Sequence, residues 1–331
     1  MMVNIIEKMK KANLKGRSGA GFPTGSKWEM VEKEKAEKKY IICNASEGDP
    51  TAFKDKYILD KYAKDVIEGI KIALETIDNS TAYIYLKKDY FKIFESKLRK
   101  LIGRLPITLF KKTGGYLAGE ETAILEGIEG RRPEPRIKPP FPYQKGLFGY
   151  PTLMNNVETF YQISQIAKDR YQGTRFFCVS GDAKKPGVFE LKEDLSLKEI
   201  LEKTGNWPDF DFFISAGGTL GDILLPRELN QPLRGIGSIV IYKRKSTDAV
   251  SLMKKIVDFV IKENCGRCTP CREGAYRLKE ILEQGKMDKK IFEDVFFVLR
   301  ETSLCPLGRM ASLSLEGIIN KIYGENGENQ D

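Results

Sequence analysis

Six cysteines occur in the chain, at positions 43, 178, 265, 268, 271 and 305, and three of them fall within seven residues. Cys265-Gly266-Arg267-Cys268-Thr269-Pro270-Cys271 is a C-x-x-C-x-x-C run, and Cys305-Pro306 offers a fourth thiolate farther along. Grouped cysteines in a chain without a secretory signal point to a metal and not to disulfides. Zinc sites usually show two separated C-x-x-C pairs, whereas a triplet with a remote Cys-Pro is the habit of [4Fe–4S] clusters, so iron–sulfur is favoured. A thioredoxin-type redox pair would need only two cysteines. Thr269-Pro270 suits a helix start, so a helix is expected from there to about residue 284 with its positive end toward an anionic cluster. Arg267, Arg272 and Arg309 would help hold down that negative charge, and Cys178 reads as core.

A second constellation lies near the other terminus. Gly16-Arg17-Ser18-Gly19-Ala20-Gly21-Phe22-Pro23-Thr24-Gly25 carries four glycines in ten residues, so its backbone can take positive φ and bring N–H groups against a ligand. A helix is expected from about residue 26, an arrangement that suits a phosphate, with Arg17 and Lys27 adding charge. The spacing matches neither G-x-G-x-x-G nor G-x-x-x-x-G-K-[ST]. By itself the loop reads as a surface turn or as an anion cradle. Farther on, Gly119-Glu120-Glu121-Thr122 precedes apolar Ala123, Ile124 and Leu125. Its carboxylates either complement a helix dipole or contact ribose hydroxyls or an amide. Residues 131–151 are rich in Pro and Gly, and fixed prolines around Lys138 and Phe141 favour a shaped binding wall over disorder. An iron–sulfur cluster passes electrons singly, and a flavin is the usual converter from hydride chemistry. The glycine loop thereby becomes a candidate flavin phosphate site.

The elements that must position these groups follow from the patterning. Residues 40–44, 82–86 and 107–110 read as strands alternating with helices over 64–77 and 90–102, which argues for a parallel sheet. The polar turn at 45–50 follows a strand end, where ligands sit in such folds, and Asn155-Asn156 opens a further helix. From about residue 175 the pattern changes to a small α+β unit, with strands at 176–180, 187–191, 212–215 and 238–242 and a helix at 197–203. Residues 249–323 are helical, with an i, i+4, i+7, i+8 apolar face at Leu252, Ile256, Phe259 and Val260. The first ten residues form a short amphipathic helix pattern, and the tail from 324 to 331 is expected to fray.

Bulk properties exclude several classes. The chain holds no histidine, which removes Ser-His and Cys-His catalysis and His-ligated zinc. The net charge of +9 comes without a dense basic run interleaved with aromatics, so nucleic acid is not expected as a partner. No apolar run approaches a membrane span. The protein is expected in the cytoplasm, peripheral on the cytoplasmic side of a membrane complex.

Taken together, the glycine loop, residues 44–55 and 116–122, Lys138-Pro139-Pro140-Phe141-Pro142, residues 151–159 and the four cysteines resemble the FMN- and NADH-binding flavoprotein subunit of respiratory complex I. The same family includes diaphorase subunits of NAD-linked hydrogenases and formate dehydrogenases. The resemblance implies an α/β Rossmann-like FMN and NADH domain over 1–170, an α+β β-grasp domain over 171–246 and a helical bundle carrying the [4Fe–4S] cluster over 247–331. It implies FMN contacts from Gly16, Arg17, Gly19, Ala20, Gly21, Lys27, Asn44, Ser46, Glu47, Tyr116, Gly119, Glu120, Asn155 and Asn156. Phe22, Glu121, Lys138 and Phe141 fall on the NAD(H) side, and Cys265, Cys268, Cys271 and Cys305 ligate the cluster. Implied partners are a thioredoxin-like [2Fe–2S] subunit and a larger iron–sulfur subunit. Four departures stand out: Ser46 where the family has Asp, Asp49 for a Glu near the nucleotide, Met30 at an often aromatic position, and a short Cys271-to-Cys305 gap. Rival readings are an electron-bifurcating or NADP-linked member, or a wiring subunit that has lost its nucleotide or flavin.

Overall fold

Strand β1 (Lys39–Ala45) is apolar on both faces and almost wholly buried, as a central strand of a parallel sheet must be. In the computed structural model, which describes residues 5–285 and 288–323, β1 pairs in parallel with β2 (Ser80–Leu86) on one side and β4 (Thr152–Asn156) on the other. β3 (Ile107–Lys111) pairs in parallel with β2, which gives the order β3-β2-β1-β4. Residues 1–4 of the expected first helix and the 324–331 tail lie outside the described residues.

The chain forms two compact units. The first contains 1–48, 52–176 and 190–193, and the second 49–51, 177–189 and 194–331. In the first, helices α1 (Ile5–Lys11), α2 (Thr24–Lys33), α3 (Lys54–Thr76), α4 (Lys88–Ile102), α5 (Glu121–Ile128) and α6 (Val157–Ala167) accompany the sheet. The α3–α6 crossing is close because Gly69 carries no side chain, and a Cβ built there would lie 2.0 Å from the Phe160 carbonyl oxygen. Ile58, Leu59, Ile70 and Phe160 are fully buried, each contributing about 1.5–3 kcal/mol by leaving water.

In the second unit the five-stranded sheet runs β6-β5-β9-β7-β8, with β5 (Thr174–Gly181), β6 (Gly187–Lys192), β7 (Phe212–Ala216), β8 (Asp222–Leu224) and β9 (Ser238–Lys243). β5 and β9 are parallel, and β7 runs antiparallel to both β9 and β8. Helix α7 (Leu197–Lys203) opens on a capping box in which the Glu199 N–H donates to Ser196 Oγ at 3.2 Å and the Ser196 N–H donates to Glu199 Oε2 at 2.8 Å. Helices α8 (Ala249–Glu263), α9 (Thr269–Gln284), α10 (Lys289–Thr302) and α11 (Pro306–Ile318) follow. No helix among the described residues is long and apolar enough to cross a membrane.

Candidate functional site

The order β3-β2-β1-β4 changes direction between β1 and β4. A crevice outside the carboxyl ends of strands forms at such a switch point. Residues Asn44, Ser46 and Glu47 follow or end β1, and Asn155 and Asn156 end β4. Helix α2 is fastened to β4 there: Trp28 Nε1 donates to Asn155 Oδ1 at 2.9 Å, and Lys27 Nζ donates to the Met154 carbonyl at 3.2 Å. The glycine loop therefore enters the same place from the other side of the chain.

Its backbone is closed on itself, with the Gly16 N–H donating to the Phe22 carbonyl at 2.9 Å and the Thr24 N–H to the Leu14 carbonyl at 2.8 Å. Gly21 sits at φ +63 with open space where a Cβ would be. Phe22 at its tip is 42 % exposed. No side chain caps the N-terminus of α2, and the buried Thr24 hydroxyl in its first turn has no hydrogen-bond partner among the described residues. An unpaired buried hydroxyl beside open helix donors fits an anionic ligand such as the FMN phosphate.

The Arg17 guanidinium, expected to add charge to the loop, is turned to protein partners. It is buried, paired with Glu193 and donating to Tyr171 Oη at 3.2 Å and the Thr174 carbonyl at 3.4 Å. Desolvation opposes its charge, but Glu158 and Glu193 outweigh it and hold its pKa raised. Arg17 pegs the base of the loop instead of contributing charge to it.

Below the loop lies a buried network that the residue pattern does not disclose. Lys54 Nζ reaches Asp55 Oδ1 at 2.6 Å, Asn156 Oδ1 at 2.8 Å and Glu158 Oε2 at 3.2 Å. Burial alone would lower the Lys54 pKa, but Asp55, Glu158 and Glu47 raise it. Asn156 Nδ2 donates to Asp55 Oδ2 at 2.7 Å and to the Asn44 carbonyl at 3.1 Å, and its Oδ1 also accepts the Glu158 N–H at 3.1 Å. All four hydrogen-bonding positions of that amide are thus spent inside the protein. The Asn156 side chain, a residue expected among the FMN contacts, thus holds Asn44 and Lys54 in place. Glu47 closes the N-terminus of α3, accepting from the Asp55 N–H at 3.1 Å and from Tyr90 Oη at 2.7 Å. Burial and the Asp55 charge push its pKa up to about 7.

Asn44 Nδ2 donates to the Gly119 carbonyl at 3.1 Å, and Asn44 Oδ1 accepts from Ser46 Oγ at 2.6 Å. A Cβ at Gly119 would stand 2.5 Å from Ser46 Oγ, so the Gly119 turn and the Ser46 side chain fill one cradle. Tyr116 begins that turn, its carbonyl accepting from the Gly119 N–H at 2.9 Å. Glu120 settles the two readings of the paired carboxylates in part. Its Oε2 caps α5, accepting the Thr122 and Ala123 N–H groups at 2.8 and 2.9 Å, while Oε1 faces Lys138 Nζ at 3.2 Å. Glu121 lies between Lys27 Nζ at 2.9 Å and Lys138 Nζ at 3.5 Å. Burial would raise its pKa, but the two ammoniums outweigh that and hold the carboxyl below its usual range. Phe141, 44 % exposed, stacks on Tyr143 with ring centroids 6.0 Å apart. Ala20 and Gly19 are exposed in the loop, the latter at φ +108.

Asp49, in the second unit, is committed to its own neighbours. Its carboxylate accepts from Thr51 Oγ1 at 2.6 Å, from Thr219 Oγ1 at 3.0 Å and from the Thr219 N–H at 2.9 Å. Met30 is exposed.

The cysteines of the second unit take up positions at helix starts. α8 is capped by Asn264, whose Oδ1 accepts the Gly266 N–H at 2.9 Å and so turns the chain into the Cys265 loop. α9 begins as expected at Thr269 and runs to Gln284, with Cys268 immediately before it and Cys271 in its first turn. α11 begins at Pro306 with Cys305 immediately before it. Arg272 Nη1 donates to the Gly266 carbonyl at 2.8 Å, and Arg309 Nε donates to the Ser303 carbonyl at 2.8 Å. These arginines therefore brace the ligand loops through backbone oxygens. Burial pushes the Cys271 thiol up to about 12, and the neighbouring Cys268, Cys305 and Cys265 add to the shift. Among the described residues no three ligating side chains close on a single-ion position. Three other cysteines near enough to influence Cys271 bring the set to four, which suits a cluster with one iron per cysteine. Cys43 and Cys178 are fully buried in the two cores, and none of the six cysteines is in a disulfide.

Comparison with known proteins agrees with this geometry. Residues 9–165 match the Nuo51 FMN-binding domain, and residues 251–327 match the NADH-ubiquinone oxidoreductase-F iron-sulfur binding region. The chain is 35% identical to the NADH-quinone oxidoreductase F subunit of Aquifex aeolicus (strain VF5), over 97% of this chain and 84% of that protein. It is 34% identical to the corresponding F subunit of Rickettsia bellii (strain OSU 85-389), over 97% and 88%. Among solved structures it is similar to an NAD+-reducing [NiFe]-hydrogenase in the H2-reduced state, with a TM-score of 0.88 and 28% identity, covering 95% of this chain. It spans only 60% of that hydrogenase chain.

Proposed function

The chain belongs to the family of NADH-quinone oxidoreductase F subunits, and from that premise we propose how its residues serve an NADH dehydrogenase subunit that carries FMN and a [4Fe–4S] cluster. Bound FMN supplies the conversion between hydride and single-electron transfer, and the bound cluster supplies single-electron carriage to partner subunits. The observation that carries the reading is the meeting of the glycine loop, the turn after β1 and the end of β4 at the sheet's switch point.

The backbone of Gly16, Gly19, Ala20 and Gly21, with the open start of α2 and Thr24, holds the flavin phosphate. Lys27, anchored by Glu121 and the Met154 carbonyl, adds fixed positive charge. Asn44, Ser46, Glu47, Tyr116, Gly119, Glu120 and Asn155 line the ring's floor, and Asn156 sets the angle of Asn44. Phe22 and Phe141 offer exposed faces to the nicotinamide nucleotide, and the ionised Glu121 with Lys138 offers an acceptor and a donor to its hydroxyls. Hydride transfer needs orientation and exclusion of water but no protein base, which suits a chain without histidine. Cys265, Cys268, Cys271 and Cys305 hold the cluster. The five-stranded sheet with α7 supports a β-grasp reading of 171–246, between the nucleotide domain at 1–170 and the bundle at 247–331. A thioredoxin-like [2Fe–2S] subunit and a larger iron–sulfur subunit are the partners on this reading, in an assembly on the cytoplasmic side of a membrane.

Anaerobic titration of the purified protein with NADH tests the proposal. The flavin absorption band should bleach at stoichiometric NADH, and a band that persists under excess NADH overturns the assignment.

A further inference from the structure

Ser303 occupies the turn between α10 and Cys305 and is 1 % exposed. Its backbone is held on both sides: the N–H donates to the Leu299 carbonyl at 3.3 Å, and the carbonyl accepts from Arg309 Nε at 2.8 Å. Its hydroxyl has no partner among the described residues. A buried hydroxyl left so bears the full cost of leaving water, and serine near a helix end has an easy remedy in the carbonyl one turn back. The preceding residue takes that remedy, Thr302 Oγ1 donating to the Val298 carbonyl at 2.7 Å. Ser303 does not.

The hydroxyl lies on the side of Cys271, one of the ligand set. Gly308, in the first turn of α11, leaves a gap there: a Cβ built on it would stand 2.4 Å from Ser303 Oγ and 3.1 Å from Cys271 Cβ. A single point thus touches the orphan hydroxyl and the side chain of a cluster ligand. Cys305, two residues beyond Ser303 in the chain, is also buried.

The geometry points to Ser303 as a hydrogen-bond donor to a sulfur of the cluster, either a cysteine thiolate or an inorganic sulfide, whose loss lowers the cluster's reduction potential. This inference rests on the reading of the four cysteines as [4Fe–4S] ligands. Reduction adds negative charge to the sulfurs, and a donor stabilises the more negative state. Gly308 is then the residue that admits the hydroxyl to its acceptor, because any larger side chain would displace it.

The test uses the full chain purified anaerobically with its cluster, together with Ser303→Ala and Ser303→Thr. Iron and acid-labile sulfide contents come first: a wild-type protein without a four-iron complement sinks the underlying reading, separately from this one. Potentiometric titration followed by electron paramagnetic resonance then compares the midpoints. Ser303→Ala should change the oxidised-to-reduced ratio at fixed potential by about tenfold toward oxidised, about 59 mV for a one-electron couple. Ser303→Thr, which keeps the hydroxyl, should restore most of the shift. A midpoint unmoved in Ser303→Ala, or moved equally in both variants, overturns the assignment. Should Ser303→Ala fail to load iron, the wild type still decides. Deuterium exchange should remove a strong hydroxyl-proton coupling from the reduced cluster's electron–nuclear spectrum, and a spectrum without such a coupling overturns the inference.

Discussion

At the ends of β1 and β4, nearly every polar side chain expected to meet a ligand already has a protein partner, and each region keeps one buried hydroxyl without a partner among the described residues, Thr24 by the glycine loop and Ser303 by the cysteines. Asn156 spends all its capacity on Lys54, Asp55, Asn44 and the Glu158 N–H. Arg17 turns its terminal nitrogens to Glu193, Tyr171 and Thr174, while its Nε has no partner among the described residues. The first region is braced mostly by its own side chains, and on the proposed reading it meets its ligand through backbone groups, the Thr24 hydroxyl, Lys27, exposed aromatics and the Glu121–Lys138 pair. The second gathers four thiols, one of them reluctant to ionise, in loops braced by arginines. Its ligand completes it. Folding and metal binding are therefore coupled in the second region far more than folding and flavin binding are in the first.

The sharpest way to break this contrast is Cys271→Ala. It should remove nearly all cluster iron and lower the thermal transition of the helical bundle, with flavin content largely retained; iron assay, calorimetry and flavin release measure the three. Simultaneous loss of flavin would show the two regions to be less independent than described. In the first region Lys54→Met should be the most damaging change, leaving Asp55 and Glu158 buried without their cation. A loss of about 3–5 kcal/mol is expected, read from urea unfolding of the flavin-free protein.

Gly119→Ala should be milder, pressing a methyl group on Ser46 Oγ at a cost of about 1–3 kcal/mol, measured as weaker FMN binding. Adding Ser46→Ala should recover most of it, a coupling that a double-mutant cycle detects. The smallest effect concerns Glu47. Its folded pKa of about 7 lies above that of the unfolded chain, so its contribution to stability is complete below about pH 4 and is lost as pH rises through 7. Glu47→Gln should flatten that part of the stability profile, and identical profiles for variant and wild type would remove Glu47 from the account.

The cluster region is legible in the sequence because its signals are local. Thr269-Pro270 marks a helix start, and α9 spans the residues expected of it, while Cys305-Pro306, expected between helices, stands at the head of α11. The crevice is only half legible. The strands at 40–44, 82–86 and 107–110 appear with ends extended by a residue or two, but β4 is hidden in a stretch expected to open directly into helix. Helix α3 begins at Lys54, ten residues before the expected start at 64. Lys54, Asp55 and Lys56 fall ahead of the expected helix, and only Asn156 and Glu158, distant in the chain, show why Lys54 and Asp55 are buried. Arg17 misleads for the same reason: charge is visible in sequence, but the direction of a guanidinium is not. The one available hint is the adjacent Lys54-Asp55 pair followed by the apolar Tyr57-Ile58-Leu59 run.

Cys268 and Cys305 each stand one residue ahead of a helix, and that placement bears on how such a chain can change over descent. The connection after α9 can gain or lose residues without altering the backbone that presents either cysteine, because neither ligand lies on its far side within a helix. The interval between Cys271 and Cys305 is consequently free to drift among relatives, and the invariant to look for is a cysteine followed within two residues by proline at the head of each helix.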